Sequence, residues 1–523
     1  MMKARQHGNK WPMTAVLPAA LAVLILAAAV LVLHPRAHVA SRAFQAPASS
    51  CAAGISQSNP QAQQYQYEGN PCHLLRYDSN ISALNYSLSG GVSSAIALYG
   101  NVLLIPMSQP ENNAEVPRTS MDGTTAALPS PTQPFTAPSY SFSSDWGKVW
   151  GKLAAYDAIT GKLLWEDNFS APVMSQPIVV NGTAYISTGD DFINLTTVLN
   201  GIYAVNVSDG KIVWSHPTVS EHMSTMVYYN GELVNTPGTG SGYDSNSVFA
   251  SNAKTGEPAW HLPVGGASAL SSPALVGNVI YLGIRLRDNV SDRNNYYNVS
   301  TNDSFPSGRS AFFAVNLDTE SIMWETSFDV GIGPEDMAPA VWNGIVVGGY
   351  AQTIGNRSVL GMNLFPGGNV TALNKTNLRV YLVGMNSTTG KILWKVDVGT
   401  GLNPPRSKLP APTVYNGIVY TDSITTGMLY ALNAINGDKL WDFRTGPAEA
   451  NPTVAGNHVL AINQTGTLFV LDMNGTLVSE KNLGISMGWS GSGQLAVVGD
   501  KLAVGGTNGR LLVLPLSKIL PGG

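Results

Sequence analysis

Leu429-Tyr-Ala-Leu-Asn-Ala-Ile-Asn-Gly-Asp-Lys-Leu-Trp441 is the stretch that decides the fold. Apolar and polar residues alternate along its first part, as they do in a strand with one buried face. Asn436-Gly437 then marks a hairpin turn, in which glycine supplies the positive φ. A second strand follows and carries Trp441. Upstream, Pro412-Thr-Val-Tyr-Asn-Gly-Ile-Val-Tyr420 reads as the apolar first half of the same unit.

The unit recurs along the chain. Second halves end at Trp165, Trp214, Trp260, Trp324, Trp394 and Trp441, with matching turn steps at Thr160-Gly161, Thr255-Gly256 and Thr389-Gly390. A degenerate copy runs from Leu468 to Glu480, with Glu480 read at the tryptophan position. The last copy, Leu511 to Leu516, stops before its turn. Eight units result. The first opens at Val92 to Pro106, and the eighth opens near Gln494 to Gly505 and lacks an outer strand. Ala83 to Gly90 resembles that missing strand, and pairing it there would close the ring and remove an exposed sheet edge. The expected fold is all-β, an eight-bladed β-propeller with four-stranded blades over residues 83–516, and no helix is read after residue 34. The tryptophans are expected to fill the wedge between neighbouring blades.

Composition agrees. Gly 54 and Pro 32 suit many short strands and turns, and 44% hydrophobic residues with 11 Trp exclude a disordered chain of these 523 residues. Lys plus Arg is 29 and Asp plus Glu is 33, so no basic excess exists to attract nucleic acid. Charged residues are only 12% of the chain, about half the usual ~25%. A surface of Asn, Ser, Thr and Gly avoids the self-repulsion that Lys and Arg produce once carboxylates protonate, and so suggests an acidic setting. The chain also carries 15 Asn-x-Ser/Thr sequons.

Lys3, Arg5 and Lys10 precede an uncharged, mostly apolar run from Thr14 to Leu33. Residues 1–40 therefore read as a signal peptide or a membrane anchor, and both readings export the rest. The expected location is periplasmic, outer-membrane-associated or extracellular. Residues 41–82 form a separate N-terminal segment holding the chain's two cysteines, Cys51 and Cys72, which could pair in an oxidising compartment. Residues 517–523 are a tail. No metal-ligand spacing is found.

The Ala/Val-x-Asx-x-x-Thr-Gly-x-x-x-Trp pattern, seen in Ala155 to Trp165, Ala204 to Trp214, Ala250 to Trp260 and Met385 to Trp394, resembles the pyrroloquinoline-quinone-type (PQQ-type) propeller repeat. Three exported families carry that repeat: quinone-dependent dehydrogenases, the scaffold lipoprotein of outer-membrane barrel assembly, and the tetrathionate hydrolases of acidophilic sulfur oxidisers. The dehydrogenases usually carry a vicinal cysteine pair, and this chain has no cysteine after Cys72. The scaffold is shorter and has a lipobox, which this chain lacks. Low charge, export, size and insertions look most like tetrathionate hydrolase. The resemblance implies hydrolysis of a small anionic sulfur substrate, with no cofactor, no nucleic-acid partner, attachment to a membrane through the N-terminus and a homodimer among the assemblies to expect.

Loops that lead into first strands share a propeller face with loops between second and third strands. Three long insertions, Ser108 to Lys148, Arg285 to Arg309 and Ala351 to Asn377, fall between second and third strands and would wall one mouth of the channel. The lead-in loops align on Pro177, Met226, Pro273, Pro339, Pro412, Pro452 and Ser492. Three residues earlier come Met174, Met223, Leu270, Asp336, Leu409, Glu449 and Trp489, an apolar ring broken by two acids. Asp336 is the first candidate for a catalytic carboxylate and Glu449 the second, because an acid at an apolar, channel-facing position should have a raised pKa. Arg406, Lys408 and His222 are candidates for holding sulfonates, with Glu335 and Trp489 as further substrate-binding positions.

Overall fold

The structure is a computed structural model that describes residues 55–56, 72–73, 75–79, 81–108, 151–169, 171–189, 200–218, 222–236, 238, 247–268, 271–286, 310–328, 337–354, 377–402, 411–487 and 494–520. All of these belong to one compact unit, 46–523.

The pairing of Pro412 to Tyr420 with Leu429 to Trp441 is as read. Thr413–Tyr415, Ile418–Ser423, Met428–Asn433 and Lys439–Arg444 form a four-stranded antiparallel sheet, ordered from the channel outward. Eight such sheets follow one another. Their inner strands are Ala97–Tyr99, Ile178–Val180, Val227–Tyr229, Ala274–Val276, Ala340–Trp342, Thr413–Tyr415, Thr453–Ala455 and Ala496–Val498, and we number the blades 1 to 8 in this order. Blade 8 takes its outer strand from the start of the repeats. Asn85–Ser87 pairs antiparallel with Arg510–Pro515, so the ring closes as expected. The described residues hold no α-helix.

Burial follows the position of the strand in the blade rather than the half-buried alternation read from the sequence, because neighbouring blades cover both faces. Inner and middle strands are almost wholly buried, while outer strands such as Leu163–Phe169 show mixed exposure. Between blades the tryptophans do the packing. Trp165, Trp214, Trp324, Trp394 and Trp441 each donate their indole N–H to a turn carbonyl of the next blade, at 2.8–3.0 Å. Each ring lies flat on that turn's glycine. A Cβ added at Gly437 would meet Trp394 at 2.8 Å, and one at Gly475 would meet Trp441 at 2.5 Å. The glycine is thus required twice, for its positive φ and for the indole above it.

Three interfaces depart from this, and between blades 8 and 1 Leu84 takes the place of the indole over Gly161. Blade 4 has Glu320 with positive φ in place of the turn glycine, and Trp260 donates instead to Glu232 of its own blade at 2.8 Å. In blade 7 the tryptophan position is held by Ser479, not Glu480. Ala431 faces Trp441 immediately before a register shift, and Val470 faces Ser479 at the same place. The turn at Asp472 to Gly475 is one residue shorter than the turn at Asn433 to Gly437, which displaces the sequence count by one. Ser479 Oγ still donates across the interface, to Ile519 O at 3.4 Å. Leu516–Lys518 form a single 3-10 turn, and Ile519 is buried with the core of blades 7 and 8.

The N-terminal segment enters the channel. Arg76–Asp78 pairs in parallel with the inner strand of blade 8, and Ile55–Ser56 pairs in parallel with Arg76–Asp78. The sheet of blade 8 therefore runs two strands further inward than the others. The physical reason is that inner strands are edge strands, with unpaired N–H and C=O groups facing the channel. The segment satisfies them one blade after another. The Val414 amide donates to Cys72 O at 2.9 Å, His73 Nδ1 lies 3.0 Å from Pro412 O, and Arg76 Nη2 donates to Val454 O at 3.1 Å. The Val497 amide donates to Leu75 O at 2.9 Å, and Tyr77 OH donates to Ile96 O at 3.0 Å. Blades 6, 7, 8 and 1 are tied together in this way. Cys72 is fully buried, disulfide-bonded, and has its Sγ 3.1 Å from Val341 O of blade 5. The other cysteine of the sequence, Cys51, lies outside the described residues.

Candidate active site in the channel

Each lead-in loop reaches its inner strand one residue after the aligned position, as in Pro177 before Ile178 and Pro452 before Thr453. Blade 8 breaks the alignment. Its inner strand starts at Ala496, so Leu495, not Ser492, matches the prolines. Counted back from Leu495, the residue three places earlier in sequence is Ser492 rather than Trp489. Loss of the proline in this repeat removed the marker on which the alignment rested.

Three members of the ring are described: Met174, Met223 and Glu449. Met174 and Met223, from adjacent blades, pack against each other as a buried pair. Glu449 is buried in blade 7, where Gln464 Nε2 lies 3.3 Å from its Oε1. His222 is also buried, in the lead-in to blade 3, with its ring 6.4 Å from that of Phe249. Blades 3 and 7 stand opposite each other in a ring of eight, so the structure does not bring His222 and Glu449 together. Asp336, Glu335, Arg406, Lys408 and Trp489 lie outside the described residues. Met337, which follows Asp336 in sequence, is fully buried and accepts a 2.7 Å hydrogen bond from Ser271 Oγ of blade 4.

The three insertions leave their sheets where expected. Ser108 pairs with Gly151, Arg285 with Ser310 and Ile354 with Asn377, each a second strand facing a third. The insertions themselves are largely outside the described residues.

A belt of small hydroxyls seals the lead-ins of blades 2 to 4. The Gln176 amide donates to Thr225 Oγ1 and the Thr225 amide to Ser272 Oγ, both at 2.9 Å. The same position in blade 7 repeats the device, with the Asn451 amide on Gln494 Oε1 at 2.6 Å. These bonds fix the spacing of the lead-ins around the mouth.

The structure adds a residue that the sequence reading missed. Asp422, near the end of the second strand of blade 6, is fully buried. Burial pushes its carboxyl up to about 8, against the opposing hydrogen bond from Thr445 Oγ1 at 3.0 Å. Its Oδ2 has no hydrogen-bond partner. Thr445 O accepts from Asn463 Nδ2 at 3.0 Å, and the next residue, Gln464, reaches Glu449. A polar wall therefore runs from Asp422 in blade 6 to Glu449 in blade 7. Thr421-Asp422-Ser423 reads in sequence as an ordinary strand end, and only an acid in an otherwise apolar alternation could have flagged it. Among the described residues no group of three or more His, Cys, Asp or Glu is placed to hold a metal ion.

Comparison with known proteins fixes the family. A family model described as outer membrane protein assembly factor BamB matches residues 142–198, 191–301 and 367–518, together more than half of the chain. The chain belongs to this family of PQQ-type repeat propellers. Curated relatives of the propeller include a tetrathionate hydrolase of Acidithiobacillus ferrooxidans, 27% identical over 55% of this chain and 53% of that protein. A tetrathionate hydrolase of Acidianus ambivalens is 24% identical over 62% of this chain and 67% of its own length. The matched region thus spans about half to two thirds of these relatives. Among solved structures, BamB from Moraxella catarrhalis is 14% identical with a TM-score of 0.51, covering 83% of the propeller chain and 100% of its own. The quinohemoprotein alcohol dehydrogenase of Comamonas testosteroni is 12% identical with a TM-score of 0.52, covering 88% and 81%. These two show the fold alone.

Proposed function

We propose that the protein is an exported hydrolase of tetrathionate, working at the loop-walled mouth of the channel. The observation that carries this reading is the alignment with two tetrathionate hydrolases over more than half of the chain. Export is supported by the apolar run from Thr14 to Leu33 and by membership in a family described by an outer-membrane assembly factor. Nothing specific favours a dehydrogenase, because the vicinal cysteines of that group have no counterpart here.

The chemistry asks for three things. One tetrathionate and one water give one thiosulfate, one sulfur atom, one sulfate and two protons. A base must therefore orient the attacking water and accept a proton from it. Donors must hold a dianion with a sulfonate at each end. Donors must also stabilise the departing thiosulfate. We assign the base to Asp336, which stands at the ring position three residues before Pro339 in a glycine-rich lead-in. Glu449 holds the equivalent position in blade 7. Arg406, Lys408 and His222 supply donors for the sulfonates from three sequence positions leading into inner strands.

The test is incubation of purified protein with tetrathionate in acid, following thiosulfate and sulfate. Turnover that Asp336→Asn reduces by about 100-fold or more, the typical weight of a general base, supports the assignment. Full activity in Asp336→Asn removes Asp336 as the base. Absence of turnover by a folded wild type removes the hydrolase reading itself.

A further inference from the structure

We infer that Arg76, contributed by the segment preceding the repeats, is an anion-holding residue inside the channel. In tetrathionate hydrolysis it would take a sulfonate end of the substrate. The assignment of that ligand rests on the proposed function, while the anion site itself does not.

Three observations carry it. First, position. Arg76 sits on a strand that extends blade 8 into the channel, and its side chain reaches the inner strand of blade 7. Second, unused capacity. A guanidinium has five N–H donors, and here Nη2 alone is engaged, on the backbone oxygen of Val454. Among the described residues no carboxylate pairs with it, although the group is partly buried. A cation withdrawn from water without a counter-charge is costly, and a bound anion removes that cost. Third, rigidity. The residues on either side are tied down. Leu75 O accepts from the Val497 amide at 2.9 Å, Tyr77 O from the Gly499 amide at 2.8 Å, and Tyr77 OH spans to Ile96 O of blade 1. The guanidinium is therefore presented from a fixed backbone, the condition for selective binding of a small ligand. Its planar fork matches two oxygens of a tetrahedral oxyanion such as a sulfonate, sulfate or thiosulfate group.

The segment also explains why a binding group should come from outside the repeats. Inner strands turn side chains such as Val414, Val454 and Val497 into the cores between blades and present mainly backbone edges to the channel. They offer little to a dianion. A strand laid across their free edges can add a long basic side chain without disturbing the packing between blades.

The experiment is titration calorimetry of the full chain with sodium thiosulfate, and separately sodium sulfate, for wild type, R76K and R76Q. Thermal unfolding and circular dichroism serve as fold controls. R76Q should weaken anion affinity by about 10- to 100-fold, the worth of one hydrogen bond to a charged group. R76K, which keeps the charge and loses the fork, should fall between. Equal affinity in R76Q and wild type would overturn the proposal. So would a folded wild type that binds neither anion, or a loss of fold in both variants, which would make Arg76 a structural strut. Binding that depends on Arg76 with no turnover of tetrathionate would keep the anion site and sink the hydrolase. Turnover that R76Q leaves unchanged would do the reverse.

Discussion

Asp422→Asn should flatten the pH dependence of stability between weakly acidic and weakly basic solution. In the folded protein burial holds the Asp422 carboxyl at about 8, against 3.8 for the free group. Between those values the folded state keeps a proton that the unfolded chain gives up. The folded state then binds more protons, so stability falls as pH rises through the window. Each pH unit is worth about 1.4 kcal/mol. Across the window the full loss is at most roughly 6 kcal/mol, a large share of the ~5–15 kcal/mol that typically holds a domain together. Asparagine has the same shape, keeps the acceptor for Thr445 Oγ1 and does not titrate. Urea unfolding of wild type and Asp422→Asn at several pH values from 4 to 8 measures the difference. The variant should gain on the wild type steadily as pH rises. Parallel pH profiles for the two proteins would refute the reasoning and place the Asp422 proton elsewhere. Other titrating groups act equally in both proteins and cancel in the comparison.

Trp394→Ala should destabilise the fold by about 3–5 kcal/mol, the range for removing a large buried aromatic. It deletes both the ring on Gly437 and the 2.9 Å bond to Ala434 O, and the loss is read as a lower urea midpoint. His73 gives a pH effect of the opposite sign to Asp422. Burial lowers its pKa from 6.5 to about 4, so the stability it allows is complete above about 6.5 and is lost as pH falls to about 4. Hydrogen exchange at the Val414 and Val497 amides, which donate to the channel segment, should accelerate over that interval, and His73→Gln should abolish the acceleration.

The fold was legible because each blade repeats the same local chemistry. Alternation, a turn glycine and a tryptophan lie within thirteen residues of one another, as in Leu429 to Trp441. The misreadings arose where one local marker is missing. The shortened turn before Ser479 shifted one count, and the absent proline before Ala496 shifted another by three residues. The channel segment was illegible for a different reason. Its bonds join residues such as His73 and Pro412, 339 positions apart, and they mostly use backbone atoms that carry no sequence signal. Asp422 escaped because its character comes from burial, which the residue type does not announce. Arg76 escaped for the same reason, since nothing in the residues around it tells that it faces a channel.

The low charge of the chain has a structural counterpart in the repeated turns. The residue ending each third strand accepts a backbone N–H from two positions on and so holds the turn closed. Five of these residues are asparagines, Asn206, Asn252, Asn316, Asn386 and Asn433, with bonds of 2.8–3.0 Å. An amide oxygen accepts at any pH. Two are aspartates, Asp157 and Asp472, and there the backbone N–H groups of Thr160 and Thr476 hold each carboxyl below its ordinary range. Acidification therefore leaves this closing acceptor unchanged at five of the seven turns. A propeller built of aspartate turns would see all of them weaken over one narrow interval, each at a blade interface where a tryptophan depends on the turn's geometry. Replacing the acid by its amide at most blades removes that cooperative failure without changing the fold. The acceptor that closes five of the seven turns is thus uncharged, an arrangement that suits a protein proposed to work in acid.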